Sequence, residues 1–157
     1  MAAVLAGQRV MPTPVTVQAF DNTSNTNLSN TTYAAGTPEV GVTFVAPLSG
    51  NVIVTISGGV RNNAANANRV FLAPQIYLGT SSAGTLFLAP AVAQYGCGSH
   101  GGYTTDDYQY VCRTSLVTGL TAGSTYYIRV MHATANATVG QETPDIAARE
   151  ITVQPAT

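Results

Sequence analysis

Ser115-Leu-Val-Thr-Gly-Leu-Thr-Ala-Gly-Ser-Thr-Tyr-Tyr-Ile-Arg-Val-Met131 is the stretch on which the fold turns. A tight Ala-Gly turn joins two strands. In the second, Tyr126, Ile128, Val130 and His132 share one face, and Tyr127, Arg129 and Met131 share the other, because side chains alternate along a strand. Neither face is cleanly polar. One can fill the core of the chain, which leaves Tyr127 and Met131 to be covered by something else. Tyr, Met and Arg are enriched at protein interfaces, so Tyr127, Arg129 and Met131 are the expected oligomer interface.

The same alternation recurs in both directions. It is clear in Val15–Phe20, Val40–Val45, Asn51–Ser57, Gln75–Leu78, Tyr108–Arg113 and Glu150–Val153. Turn clusters separate the runs: Pro47–Gly50, Gly58-Gly59, Gly79–Gly84 and Thr121–Ser124. Many short strands with Gly, Pro, Asn and Ser between them, and almost no helix signal, predict an all-β protein, an antiparallel β-sandwich or jelly roll. Eight or more candidate strands favour the jelly roll over a seven-strand immunoglobulin-like sandwich.

The beginning of the chain differs. Residues 1–14 carry Pro12 and Pro14 and little periodicity, and are expected to form an extended N-terminal arm ahead of a β-sandwich domain at 15–157. Val4, Leu5, Arg9, Val10 and Met11 are its expected contact residues, four apolar side chains and one cation that would attach the domain to a larger particle. Asp21–Thr32 is a polar loop; its Asn-x-Ser/Thr triplets at Asn22, Asn27 and Asn30 read as loop composition. The first nine residues have no basic leader and too short an apolar run for a signal peptide, so synthesis in the cytosol is expected.

Charge narrows the classes of function. Charged residues make up 8% of the 157, against roughly 25% in a typical soluble domain. The net charge is −1 and the six cationic residues, all arginine, are scattered, so no basic footprint points to nucleic acid or an acidic membrane. No stretch approaches the ~20 apolar residues of a membrane span. So few charges suit either a surface kept wet by the plentiful Thr, Asn, Ser and Gly or one partly buried against other subunits, because interface cores are depleted in Lys, Glu and Asp. Near-zero net charge on a lone monomer invites precipitation, which favours the second.

The catalytic inventory is thin. Asp106-Asp107 near His100 is expected to be a solvated turn, and Ser99-His100 lacks the third member of a triad. Cys97 and His100 have metal-ligand spacing, but nineteen residues separate Cys112 from His132, which matches no compact zinc pattern. A Cys97–Cys112 disulfide competes with two reduced thiols, the default for a chain made in the cytosol. Gly96–Tyr110 reads as a long loop at one end of the sandwich, where ligand contacts usually lie. The expectation is a non-enzymatic chain with no catalytic residues, cofactor or metal.

Gly119-Leu-Thr-Ala-Gly-Ser-Thr-Tyr-Tyr-Ile-Arg-Val130 resembles the Gly-Leu-x-x-Gly-x-x-Tyr-x-x-x-Val corner of fibronectin type III domains and of the C1q/TNF-like jelly rolls of bacteriophage structural proteins. Val42-Thr-Phe-Val-Ala-Pro-Leu-Ser-Gly-Asn-Val-Ile-Val54 and Arg149-Glu-Ile-Thr-Val-Gln-Pro155 are similar to further segments of the phage set, in the same order. Ala2–Arg9 resembles the short arms that open some phage head and tail proteins. Together these segments cover about half the chain. The resemblance implies a homotrimeric virion protein made in the host bacterial cytoplasm, with itself and a major capsid or other virion protein as partners. A capsid decoration protein is the first expectation; a tail-tip or receptor- or carbohydrate-binding module, contacting its ligand through Gly96–Tyr110, is the second. The chain has no fibre stalk and no tryptophan, which sets it apart from fibre proteins and from fibronectin type III.

Overall fold

The structure, a computed structural model, describes residues 14–62, 68–99, 105–137 and 144–156. Its elements in chain order are β1 (Val17–Asp21), β2 (Ala34–Ala35), β3 (Gly41–Val45), β4 (Asn51–Asn62), β5 (Val70–Leu78), β6 (Thr85–Leu88), α1 (Val92–Tyr95), β7 (Cys97–Gly98), β8 (Thr105–Val117), β9 (Thr125–Thr134) and β10 (Pro144–Ala156). Every pairing is antiparallel. The first sheet has the order β1-β10-β4-β8; in the second, β9 pairs with β2, β3 and β5, and β5 with β6 and β7. The long strands β4, β5, β8, β9 and β10 alternate between the sheets, so each connection crosses the sandwich. The chain is an all-β antiparallel sandwich of jelly-roll type, as its strand pattern predicts.

Alternation explains the core. On β4, Val52, Val54, Ile56 and Val60 point inward and are each 2% exposed or less. Tyr126, Ile128 and Val130 of β9 and Ile151 and Val153 of β10 meet them. Fully burying an aliphatic side chain of this size contributes about 1.5–3 kcal/mol, so this interleaved layer is what holds the sheets together. Tyr126 also stacks on Phe44 at 5.7 Å and meets Phe87 edge-on at 5.4 Å.

Two irregularities have local causes. Pro74 lies inside β5, where a missing N–H would normally break the ladder. It pairs with Val130 on one side, and on the other it falls between the short β7 pairing at Phe71–Leu72 and the β6 pairing at Ile76–Leu78, where no partner asks for a donor. In β10 a bulge falls between Ala147 and Glu150, with Ala148 at φ 47°. The bulge changes the phase of alternation, so Ile146 before it and Arg149, Ile151 and Val153 after it all turn inward.

Four local expectations change. Gly58-Gly59, expected as a turn, lies inside β4, paired with Val111 and Tyr110 of β8. A four-residue helix, α1, stands in the otherwise all-β chain. Asp106-Asp107 lies in β8 and not in a turn, and the stretch expected as one loop from Gly96 to Tyr110 contains β7 and the first part of β8. The sheet has taken up most of that stretch, leaving 100–104 outside the described residues.

Candidate interaction surfaces

The outer face of the second sheet carries the expected interface residues. Tyr127 lies opposite Thr43 and Tyr77, Arg129 opposite Gly41 and Gln75, and Met131 opposite Ala35 and Ala73. Arg129 is the hub. Its Nη1 forms an ion pair with Glu39, its Nε donates to Gln75 Oε1 at 3.0 Å, and its Nη2 donates to the Tyr77 hydroxyl at 3.3 Å. The guanidinium also lies 5.4 Å from the Tyr77 ring centroid. The Tyr127 hydroxyl donates to the other Glu39 oxygen. Gly41 makes room for it, since a Cβ there would lie 2.3 Å from that hydroxyl. Burial, then the hydrogen bond and charge of Glu39, push the Tyr127 phenol up to about 12, so it stays a neutral donor. The result is a pre-organised patch with its charges internally matched.

Met131 departs from expectation. Instead of waiting for a partner, it is 4% exposed in the single chain; its two cross-strand neighbours are alanines, and the protomer itself covers it. The part of this face open to a partner is therefore Tyr127, Arg129 and their polar neighbours. The expected attachment residues Val4, Leu5, Arg9, Val10 and Met11 lie outside the described residues.

Arginine is engaged the same way elsewhere. Arg61 pairs with Asp145 at 2.8 Å and covers the Tyr108 ring at 4.6 Å. Arg69 donates to the Ser99 carbonyl and lies over Phe71. Arg113 donates to the carbonyls of Val92 and Gly96. Arg149 is 1% exposed and reaches Asp21 at 3.3 Å, while its Nε and Nη1 have no hydrogen-bond partner among the described residues. Each of the five described arginines is engaged within its own protomer, Arg149 through Nη2 alone.

His132 faces inward beside Arg149. It is buried, its Nδ1 has no hydrogen-bond partner among the described residues, and burial together with the Arg149 charge lowers its pKa to about 4. Sequence spacing gave no sign of this pair, although Arg149, Ile151 and Val153 share a parity that could have placed Arg149 inside. The four candidate metal ligands are dispersed: His132 is inside, Cys112 is exposed, Cys97 is half-buried in β7, and His100 lies outside the described residues. Both cysteines are free. Burial, then the nearby Cys112, push the Cys97 thiol up to about 11, so it stays protonated at neutral pH.

No protein-family model matches the chain, and no curated protein matches it either. Solved structures do. A structure of infectious bursal disease virus derived T=1 particles aligns at TM-score 0.52 and 16% identity, over 99% of this chain and 36% of that one. The Gx strain of the same virus aligns at TM-score 0.51 and 12% identity, over 98% and 36%. The Eiger TNF of S. frugiperda aligns at 0.47 and 8%, over 92% and 93%. The chain thus spans about a third of the viral chains it matches, and what it shares with them is the fold.

Proposed function

We propose that the chain is a non-enzymatic structural protein of a bacteriophage virion, a capsid decoration subunit that forms homotrimers and attaches to the particle through its N-terminal arm. The order of the three motif segments supports the phage reading. The observation that carries self-assembly is the Tyr127–Glu39–Arg129–Gln75–Tyr77 patch. It is a polar network on a sheet face, closed in charge, in which Tyr77, Tyr127 and Arg129 are residue types favoured at interfaces. A face of this kind can be buried by a partner without leaving an unpaired ion, the main electrostatic cost of association.

The test is a copy count by mass spectrometry of intact particles together with light scattering of the isolated protein. A decoration trimer gives roughly three times 16.2 kDa in solution and many copies per particle. A monomer at all dilutions, or a few copies per particle, overturns the reading.

A further inference from the structure

The first sheet has an open border at β8. Its register with β4 runs unbroken from Gln109 opposite Val60 to Val117 opposite Val52, and among the described residues no strand pairs with its other edge. An unpaired edge presents a row of free backbone donors and acceptors, and monomeric proteins blunt such edges with lysine, proline, bulges or shortness. Gln109–Val117 has none of these: the run is nine residues long, and its one charge is Arg113. That charge is turned away from the outer face, with Nη1 donating to the carbonyls of Val92 and Gly96. The opposite border, β1, has five residues.

The outer face of this run has a symmetry of its own. Tyr110 is 73% exposed and Leu116 is 56% exposed, three residues to either side of Arg113, with exposed Cys112 and Thr114 between them. A two-fold axis beside Arg113 sets Tyr110 against the partner's Leu116, Leu116 against the partner's Tyr110, and Cys112 against the partner's Thr114. Aromatic–aliphatic cross-strand pairs of this kind stabilise antiparallel ladders. The two arginines that meet at the axis are each held inward by their own protomer's carbonyls.

We propose that two copies of this chain pair β8 to β8, antiparallel, with Arg113 at the two-fold axis, joining their four-stranded sheets into one of eight strands. This contact is separate from the trimer face, which belongs to the other sheet. A protein with both contacts can link trimers into a lattice.

Cys112 supplies the probe. In this register the two Cys112 residues are offset by two positions along the ladder, so they stand about 8 Å apart across the axis. This is too far for a direct disulfide, which requires Cα atoms within about 7 Å. The experiment uses the full chain with Cys97→Ser, so that Cys112 is the only thiol, treated at micromolar concentration with a bis-maleimide of about 8 Å span. A denaturing gel should show a covalent dimer, whatever assembly the other sheet supports. Tyr110→Lys and Leu116→Lys, both at exposed positions, should leave the melting temperature unchanged and lower the dimer yield about ten-fold, by placing charge at the edge. No cross-link, or equal yields with and without the lysines, overturns the proposal, as does rapid direct disulfide formation, which requires a different register. A dimer in place of a trimer by light scattering, together with the cross-link, would remove the trimer and leave this contact standing.

Discussion

At the scale of single residues, the buried Arg149–His132 pair is where the fold is electrostatically weakest. A buried guanidinium with one acidic partner and two unpaired donors stabilises less than its contacts suggest, because desolvation offsets the attraction. Asp21→Asn should therefore cost about 2 kcal/mol, since it leaves the cation uncompensated, whereas Arg149→Met, which removes the ion and keeps the volume, should be close to neutral in chemical denaturation. His132 adds a pH dependence whose sign is fixed by its depressed pKa. The folded chain keeps it neutral down to about 4, while the unfolded chain binds a proton from about 6.5 downward. Its contribution is intact above pH 6.5 and is lost as pH falls toward 4, up to about 3 kcal/mol in all at 1.36 kcal/mol per unit. Denaturation midpoints measured between pH 7 and 4 should show this loss in the wild type and a shallower one in His132→Leu. Parallel curves for the two proteins would place the acid sensitivity on the carboxylates.

At the scale of elements, the strands were legible and the places where they change course were not. Val52, Val54 and Ile56 announce the first half of β4 because one face meets a core and the other does not, whereas Gly58-Gly59 reads as a turn although the strand runs on to Asn62. The β10 bulge left no such mark, since Ala147 and Ala148 are small on both faces and alternation loses its signal there. The Gly-rich stretch before β8 looked like loop because glycine hides periodicity; Tyr108 to Arg113 carried the strand, which the sheet extended backward past Asp107. Turns are fixed by backbone chemistry more than by pattern. Gly50 has φ 68°, and a Cβ there would lie 2.6 Å from the Leu120 carbonyl oxygen, at the point where the β3–β4 turn meets the β8–β9 connection through the Leu120 N–H to Gly50 carbonyl bond of 3.0 Å. Gly50→Ala should cost at least about 1–2 kcal/mol and lower the melting temperature by several degrees. A variant melting with the wild type would show that these two connections shift freely.

At the scale of the whole molecule, low charge was the most informative feature of the sequence, and the structure gives it a mechanism: five arginines engaged within one protomer leave sheet faces that a neighbour can cover. What the sequence could not separate was a residue awaiting a partner from one already covered. Met131 and Tyr127 share a face, yet only neighbours distant in sequence, Ala35 and Ala73, mark the buried position. The same logic bears on attachment to a particle. Residues 1–14 hold Val4, Leu5, Val10 and Met11 with the single cation Arg9, and carry prolines at 12 and 14, which fix φ and remove backbone donors. Such a segment makes a poor ladder member and a good strap. Docked on a partner it buries apolar area at about 25 cal/mol per Å², opposed by the entropy of ordering the strap. β1 begins at Val17, beyond this segment, and its register partners Arg149 to Val153 lie in β10. A variant beginning at Pro14 should therefore keep its melting temperature and its self-association and lose co-sedimentation with undecorated capsids. Equal binding by the full and shortened chains would move attachment onto the sandwich, where the Tyr127–Arg129 face and the β8 edge would then have to serve both the copies and the particle.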